Sequence, residues 1–201
     1  MKTLLQIKSS INGDQGQSNY LSNQFVQRWL QINPNGRVVV RDLAAKPVPH
    51  LDAERFNAFL TPADKRNRAE QMIVEYSDSL IAELKNADAI AMGLPMYNFG
   101  IPSTLKAYFD HIARSGITFR YTSTGPEGLL PSIPVYLLAT RGGLYAGTPA
   151  DSQTGYMQAF LSFLGLKDTH FIYAEGIASG AEVKRQALHQ AQQQIDQTLV
   201  A

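Results

Sequence analysis

The residues best suited to chemistry in this 201-residue chain fall in three short segments. The first is Ser9-Ser10-Ile11-Asn12-Gly13-Asp14-Gln15-Gly16-Gln17-Ser18, rich in hydroxyls, glycine and small amides. Such a loop feeding a helix suits a phosphate, held by backbone N–H groups, serine hydroxyls and the helix N-terminus. It has neither the Gly-Lys-Ser/Thr of a Walker A loop nor the spacing of GxGxxG. The same composition describes a solvated loop in which Ser18 caps the helix. The second segment is Pro95-Met96-Tyr97-Asn98-Phe99-Gly100-Ile101-Pro102. Apolar and aromatic groups in a proline-restricted loop can flank a flat ring while backbone amides meet its polar edge. A packing cluster that closes the end of a sheet has the same composition. The third is Thr140-Arg141-Gly142-Gly143-Leu144-Tyr145. Paired glycines admit close backbone approach to a ligand. Their N–H groups can meet a carbonyl or a negative charge developing on a ring. A simple turn uses the same pair, and the three segments together say more than any one.

The elements that must position these segments alternate in type. Strands are expected at residues 3–7, 37–43, 87–94, 135–140 and 169–174. Helices are expected at about 18–32, 63–86, 103–114 and 152–164, with a last one marked by Val183, Ala187, Ala191, Ile195 and Leu199. Inward faces follow the helical spacing: Leu21, Phe25 and Trp29; Met72, Tyr76, Leu80 and Leu84; Leu105, Tyr108, Phe109 and Ile112. Residues 44–61, with Pro47 and Pro49, read as irregular, and residues 116–124 as a hairpin or irregular excursion. Five strands separated by helices imply a parallel sheet covered on both faces. Ligands bind such sheets beyond the carboxyl ends of the strands. The three segments follow the first, third and fourth strands, so all lie on that edge.

Composition narrows the chemistry. The absence of cysteine excludes disulfides, thiolate metal sites and cysteine nucleophiles. A net charge of +1 with interspersed signs gives no footprint for nucleic acid or an anionic membrane. No apolar run reaches membrane-spanning length. The start, Met1-Lys2-Thr3-Leu4-Leu5, is too short for a signal-peptide core, so a cytoplasmic location is expected. None of His50, His111, His170 and His189 has ligand spacing to another, and no metal is expected. His189 reads as a polar-face residue of the last helix, and His111 as a helix residue near the site or an interface.

The chain resembles the FMN-dependent NADH azoreductases, within the flavodoxin-like NAD(P)H:quinone oxidoreductases. The resemblance spans essentially all of it. It is carried most specifically by Pro95-Met96-Tyr97-Asn98-Phe99 and Thr118-Phe119-Arg120-Tyr121, and supported by Lys8-Ser9-Ser10, Gln17-Ser18-Asn19, Arg141-Gly142-Gly143 and Ala174-Glu175-Gly176-Ile177-Ala178. It implies one α/β domain over residues 1–201, a flavodoxin-like three-layer sandwich with a five-stranded parallel sheet in order 2-1-3-4-5. It implies a homodimer with FMN near the interface. By resemblance, Ser10, Gly16, Gln17 and Ser18 bind the phosphate end. Met96, Tyr97, Asn98 and Phe99 line the ring and ribityl chain, and Thr140, Arg141, Gly142 and Gly143 hold the pyrimidine side. Phe59, Leu60, Tyr121, Tyr145 and Phe163 are the implied substrate-pocket residues. The implied activity is ping-pong transfer of hydride from NADH or NADPH, through flavin N5, to quinones and azo compounds, the latter cleaved to aromatic amines. The redox chemistry belongs to the cofactor, and no side chain is required as acid or base.

Three positions depart from the family pattern. Gly16 and Thr140 stand where serine is common, and Tyr145 where histidine is common. The alternative reading is a flavodoxin-type electron carrier without its own NAD(P)H oxidation. Near-zero charge argues against that reading. A signalling receiver domain shares the sheet order but needs acidic residues where Lys8-Ser9 and Leu94-Pro95 stand.

Overall fold

In the computed structural model, which describes residues 1–200, the chain alternates strands and helices. The first half runs β1 (Thr3–Lys8), α1 (Gln17–Ile32), β2 (Arg37–Asp42), α2 (Ala53–Leu60), α3 (Arg68–Lys85) and β3 (Ala89–Pro95). The second runs α4 (Ser103–Ile112), β4 (Phe119–Thr122), β5 (Gly125–Gly128), β6 (Val135–Thr140), α5 (Ser152–Leu164), β7 (Thr169–Ala174) and α6 (Ala181–Val200). Five strands form one parallel sheet in the order β2-β1-β3-β6-β7. This is the expected 2-1-3-4-5 order, because β4 and β5 pair only with each other, as an antiparallel hairpin.

Each face of the sheet carries its own core. On one face Leu5, Ile7, Met92 and Leu137 pack with Leu80, Leu84, Leu105, Phe109 and Leu161 of the helices. On the other, Leu4, Ala91, Leu138 and Ile172 meet Leu21, Phe25 and Trp29 of α1 and Ala191 and Ile195 of α6. Burying a leucine or phenylalanine side chain contributes roughly 1.5–3 kcal/mol, so these two layers hold the sheet edge rigid beneath the loops. Gln6, the polar residue within β1, is buried but satisfied, its amide donating to Ser22 Oγ (2.9 Å) and Asn23 Oδ1 (2.8 Å) of α1. No helix among the described residues is long and apolar enough to cross a membrane.

Several expectations need correction. Residues 44–61 are not wholly irregular, because α2 forms within them, started by the Asp52 side chain accepting from Arg55 N–H. The long third helix begins at Arg68 rather than residue 63, fixed by a capping box between Asn67 and Glu70. Met72 is 62% exposed, so the buried stripe of α3 runs through Val74, Ser77, Leu80, Ile81 and Leu84 instead. Ser18 is not the N-cap of α1: Gly16 holds that position, and Ser18 lies buried inside the first turn.

Candidate functional site

The carboxyl ends of β1, β3 and β6 are neighbours because these are the three central strands of the sheet, with β1 and β3 side by side. The strand order reverses between them, and such a switch point opens a crevice at the carboxyl edge. Pro95 pairs with Thr140 in register, and Met96 N–H donates to the Thr140 carbonyl (3.0 Å), carrying the pairing into the second loop. Ser9 Oγ donates to the Gly93 carbonyl (2.7 Å) and pins the first loop to β3. The Tyr97 hydroxyl lies 3.2 Å from Ser10 Oγ and accepts from Ile11 N–H (3.3 Å). One tyrosine thus ties the aromatic loop to the hydroxyl-rich loop.

The first loop delivers the N-terminus of α1 without a side-chain cap, since glycine is the N-cap. The leading N–H groups of a helix have no partners inside it. Ser18 Oγ, close by, is buried and has no hydrogen-bond partner among the described residues. Unmade buried hydrogen bonds are costly, so an unpartnered hydroxyl beside an uncapped helix end marks a place for a ligand.

In the second loop, Asn98 (φ 50°) and Phe99 (φ 62°) are both left-handed. They form the tip of a tight turn closed by Tyr97 N–H to the Gly100 carbonyl (3.0 Å) and Gly100 N–H to the Tyr97 carbonyl (2.9 Å). Two such non-glycine residues cost on the order of 1–3 kcal/mol each and persist only when the surroundings impose them. Here the constraint comes from α5: Ser152 Oγ donates to the Phe99 carbonyl, and Gln153 Nε2 to that of Pro95 (3.0 Å). The Phe99 ring meets the Tyr145 ring edge-on, 5.5 Å between centroids.

The third loop rests on Arg141, which is fully buried. Its guanidinium reaches Asp151 (2.9 Å), Glu175 (3.2 Å) and Thr154 Oγ1 (2.9 Å), and lies 4.9 Å over the Tyr173 ring. Its backbone N–H is spent on the Ala174 carbonyl. Side chain and N–H thus both face inward, and Arg141 supports the loop. Burial pushes the Asp151 carboxyl up, but hydrogen bonds from Arg141 and Thr154 outweigh burial and hold it below its ordinary value. Gly142 stays open, since a Cβ there would meet only Ala178 Cβ, at 3.5 Å.

All three loops contribute to one cavity of about 180 Å³. Ser10, Gly16 and Gln17 line it from the first, Met96 and Tyr97 from the second, Thr140 and Gly142 from the third. Ser18, Asn98, Phe99 and Gly143 are not among its lining residues, and Phe99 lines a different cavity of about 500 Å³ with His50, Ile101 and Tyr156. Asn12, Gln15, Pro95 and Ile177 also line the three-loop cavity; the sequence segments that point to the site contain them without singling them out. The signal for Ile177 was its segment, Ala174-Glu175-Gly176-Ile177-Ala178, on the carboxyl side of β7. Of the expected substrate-pocket residues, only Tyr145 is brought to this region. Phe59 packs against His111 (5.9 Å) and under Arg114 (4.9 Å), on α2. Leu60 is 63% exposed on the same helix, and Tyr121 is 74% exposed on the hairpin. Phe163 tilts against Phe119 (4.3 Å) and lines a separate cavity of about 790 Å³ beneath the hairpin.

An open, doubly wound parallel sheet with an uncapped helix end, a strained aromatic turn and a glycine loop around its switch point defines a nucleotide-type cofactor binder of the α/β class. Residues 1–199 match the family described as Flavodoxin-like fold, and the chain belongs to it. It is 60% identical to an FMN-dependent NADH:quinone oxidoreductase of Cellvibrio japonicus over 201 residues, all of both chains. It is 50% identical to an enzyme of the same name from Alcanivorax borkumensis, over 96% of this chain and 97% of that one. Among solved structures, an FMN-dependent NADH-azoreductase from Bacillus anthracis in complex with FMN superimposes with a TM-score of 0.89 at 25% identity, covering 100% of this chain and 98% of that one.

Proposed function

We propose that this chain is an FMN-dependent oxidoreductase that passes hydride from NADH or NADPH to quinones and to azo compounds. The observation that carries the reading is the convergence of the uncapped α1 N-terminus and the open Gly142 on one cavity. The first is a ready acceptor for phosphate, the second admits a ring edge. The orphaned Ser18 hydroxyl fits the same group, as it would gain a phosphate oxygen.

When bound, FMN supplies the ring that takes and gives hydride. The chain does the rest. Ser10, Gln17, Ser18 and the α1 N–H groups bind the phosphate. Met96, Tyr97 and Thr140 line the path between phosphate and ring, while the turn at Asn98 and Phe99 presents backbone to the ring's polar edge. Gly142 and Gly143 offer N–H groups to the negative charge that reduction adds. Phe99 and Tyr145 wall a flat slot that excludes water and orients an aromatic acceptor.

The chain acts as a homodimer in this reading. The exposed Tyr121 and the hairpin-side Phe163 then complete the slot of the second copy, which accounts for their distance from the cavity in their own chain.

The test is reconstitution. The purified protein should bind FMN, oxidise NADH or NADPH with a quinone and no other protein present, and sediment as a dimer. A protein that cannot be loaded with FMN overturns the reading. One that binds FMN but needs a partner protein to be reduced is a carrier instead.

A further inference from the structure

The third loop divides its hydrogen-bond donors between two directions. Tyr145 N–H (3.0 Å) and Ala146 N–H (2.9 Å) both donate to Glu175 Oε1, which does not line the cavity. The N–H groups of Gly142, Gly143 and Leu144 have no partner among the described residues. The loop carbonyls are also fixed: Gly142 accepts from Ala178 N–H (3.1 Å) and Gly143 from Gly176 N–H (3.0 Å). With its carbonyls and rear N–H groups held by the β7 side, the loop has the N–H groups of Gly142, Gly143 and Leu144 left to turn toward a ligand.

Behind these donors lies an unbalanced charge cluster. The Arg141 guanidinium is fully buried, Asp151 is 7% exposed and Glu175 14%. One cation faces two carboxylates, so the cluster carries one net negative charge. Charges this far from water are screened weakly. The network needs only the cation and its acceptors for its geometry, and the second carboxylate is in excess of charge balance.

We propose that the Asp151–Arg141–Glu175 cluster sets how easily the bound ring is reduced, with Glu175 as a positioning residue that aims the glycine N–H groups and opposes added negative charge. The inference rests on the FMN reading above. Two-electron reduction adds negative charge to the ring, and the excess carboxylate disfavours it. The reduced cofactor is thereby a stronger hydride donor to the acceptor. The glycine donors hold the ring in place from the front while the carboxylates keep the reduced form from becoming too stable.

The experiment is an anaerobic potentiometric titration of FMN-loaded wild type, Glu175→Gln and Asp151→Asn, with the affinity for oxidised FMN and the melting temperature measured alongside. Each substitution removes one negative charge and keeps a hydrogen-bond acceptor. Each should raise the ratio of reduced to oxidised FMN affinity about tenfold, a rise in potential of about 30 mV for a two-electron couple. A merely structural role would weaken both forms equally and leave the potential unchanged. That result, or a fall in potential, overturns the inference. If Glu175→Gln does not fold, Asp151→Asn decides, since asparagine caps a helix as well as aspartate. A wild-type protein that takes no FMN refutes the proposed function instead, which separates the two failures.

Discussion

Gly16 leaves the space that the Ser10 side chain fills: a Cβ on Gly16 would lie 2.0 Å from Ser10 Oγ and 2.5 Å from Ser10 Cβ. The two residues are therefore one unit, the bare Cα of Gly16 matched by the placement of the Ser10 side chain. Gly16→Ser should displace Ser10 and weaken FMN binding tenfold or more, about 1.4 kcal/mol. Adding Ser10→Gly should recover part of that loss, because the clash is gone. Fluorescence titration of the two single variants and the double variant measures the coupling. Strictly additive losses would show that the two side chains act independently.

Gly142 is the complementary case, with no protein atom in its way. A Cβ there meets only Ala178, at an ordinary contact distance. Gly142→Ala should therefore leave the melting temperature of the FMN-free chain nearly unchanged, within about 0.5 kcal/mol of stability. Gly142→Val should abolish FMN binding by crowding the ring edge. Full flavin affinity in the valine variant would refute close approach at this position.

Much of the sheet was legible because buried parallel strands read as apolar runs between turn signals. The fourth and fifth core strands and α5 span the expected residues 135–140, 169–174 and 152–164, with Gly165 ending the helix. The helix α2 was less legible, since Pro47, Pro49 and Pro62 flank it and its eight residues give little periodicity, leaving the Asp52 cap as its only strong signal. The three site loops could be found from composition because each departs from an ordinary turn. The role of Arg141 could not. An arginine before Gly-Gly reads as exposed, and only the fold brings Asp151 and Glu175, from two different loops, onto its guanidinium.

Phe99 tests whether strain is stored in the turn. It is left-handed at φ 62° and 55% exposed, so it carries a backbone cost without the burial that usually offsets one. Phe99→Gly removes the strain, adds roughly 0.5–1 kcal/mol of unfolded-chain entropy, and forfeits one edge-on contact with Tyr145. The FMN-free variant should therefore unfold at the same urea concentration as wild type or a higher one. Its kcat/KM for a quinone should fall as one wall of the slot is lost. A clear loss of stability would show that the ring, not the backbone, dominates at this position. An unchanged kcat/KM would take Phe99 out of the slot.

His111 gives the chain a pH-dependent stability unrelated to catalysis. Its ring is buried between Phe59 and Tyr76, edge-on to both, with Nδ1 3.0 Å from the Ala107 carbonyl. Burial lowers its pKa from the ordinary histidine value, more than the Ala107 hydrogen bond raises it. As pH falls through about 6.5, the unfolded chain takes up this proton before the folded one does. The stabilisation is thus present above that pH and is lost as pH drops toward the lower folded value. His111→Phe keeps an aromatic ring in the same surroundings and removes the titration. Urea unfolding at about pH 7.5 and about pH 5.5 should show a larger loss of stability for wild type than for the variant. Every other ionisable group is the same in the two proteins, so the comparison isolates position 111. Equal losses would mean that the folded chain accommodates a protonated His111 without cost, and that its burial does not govern acid stability.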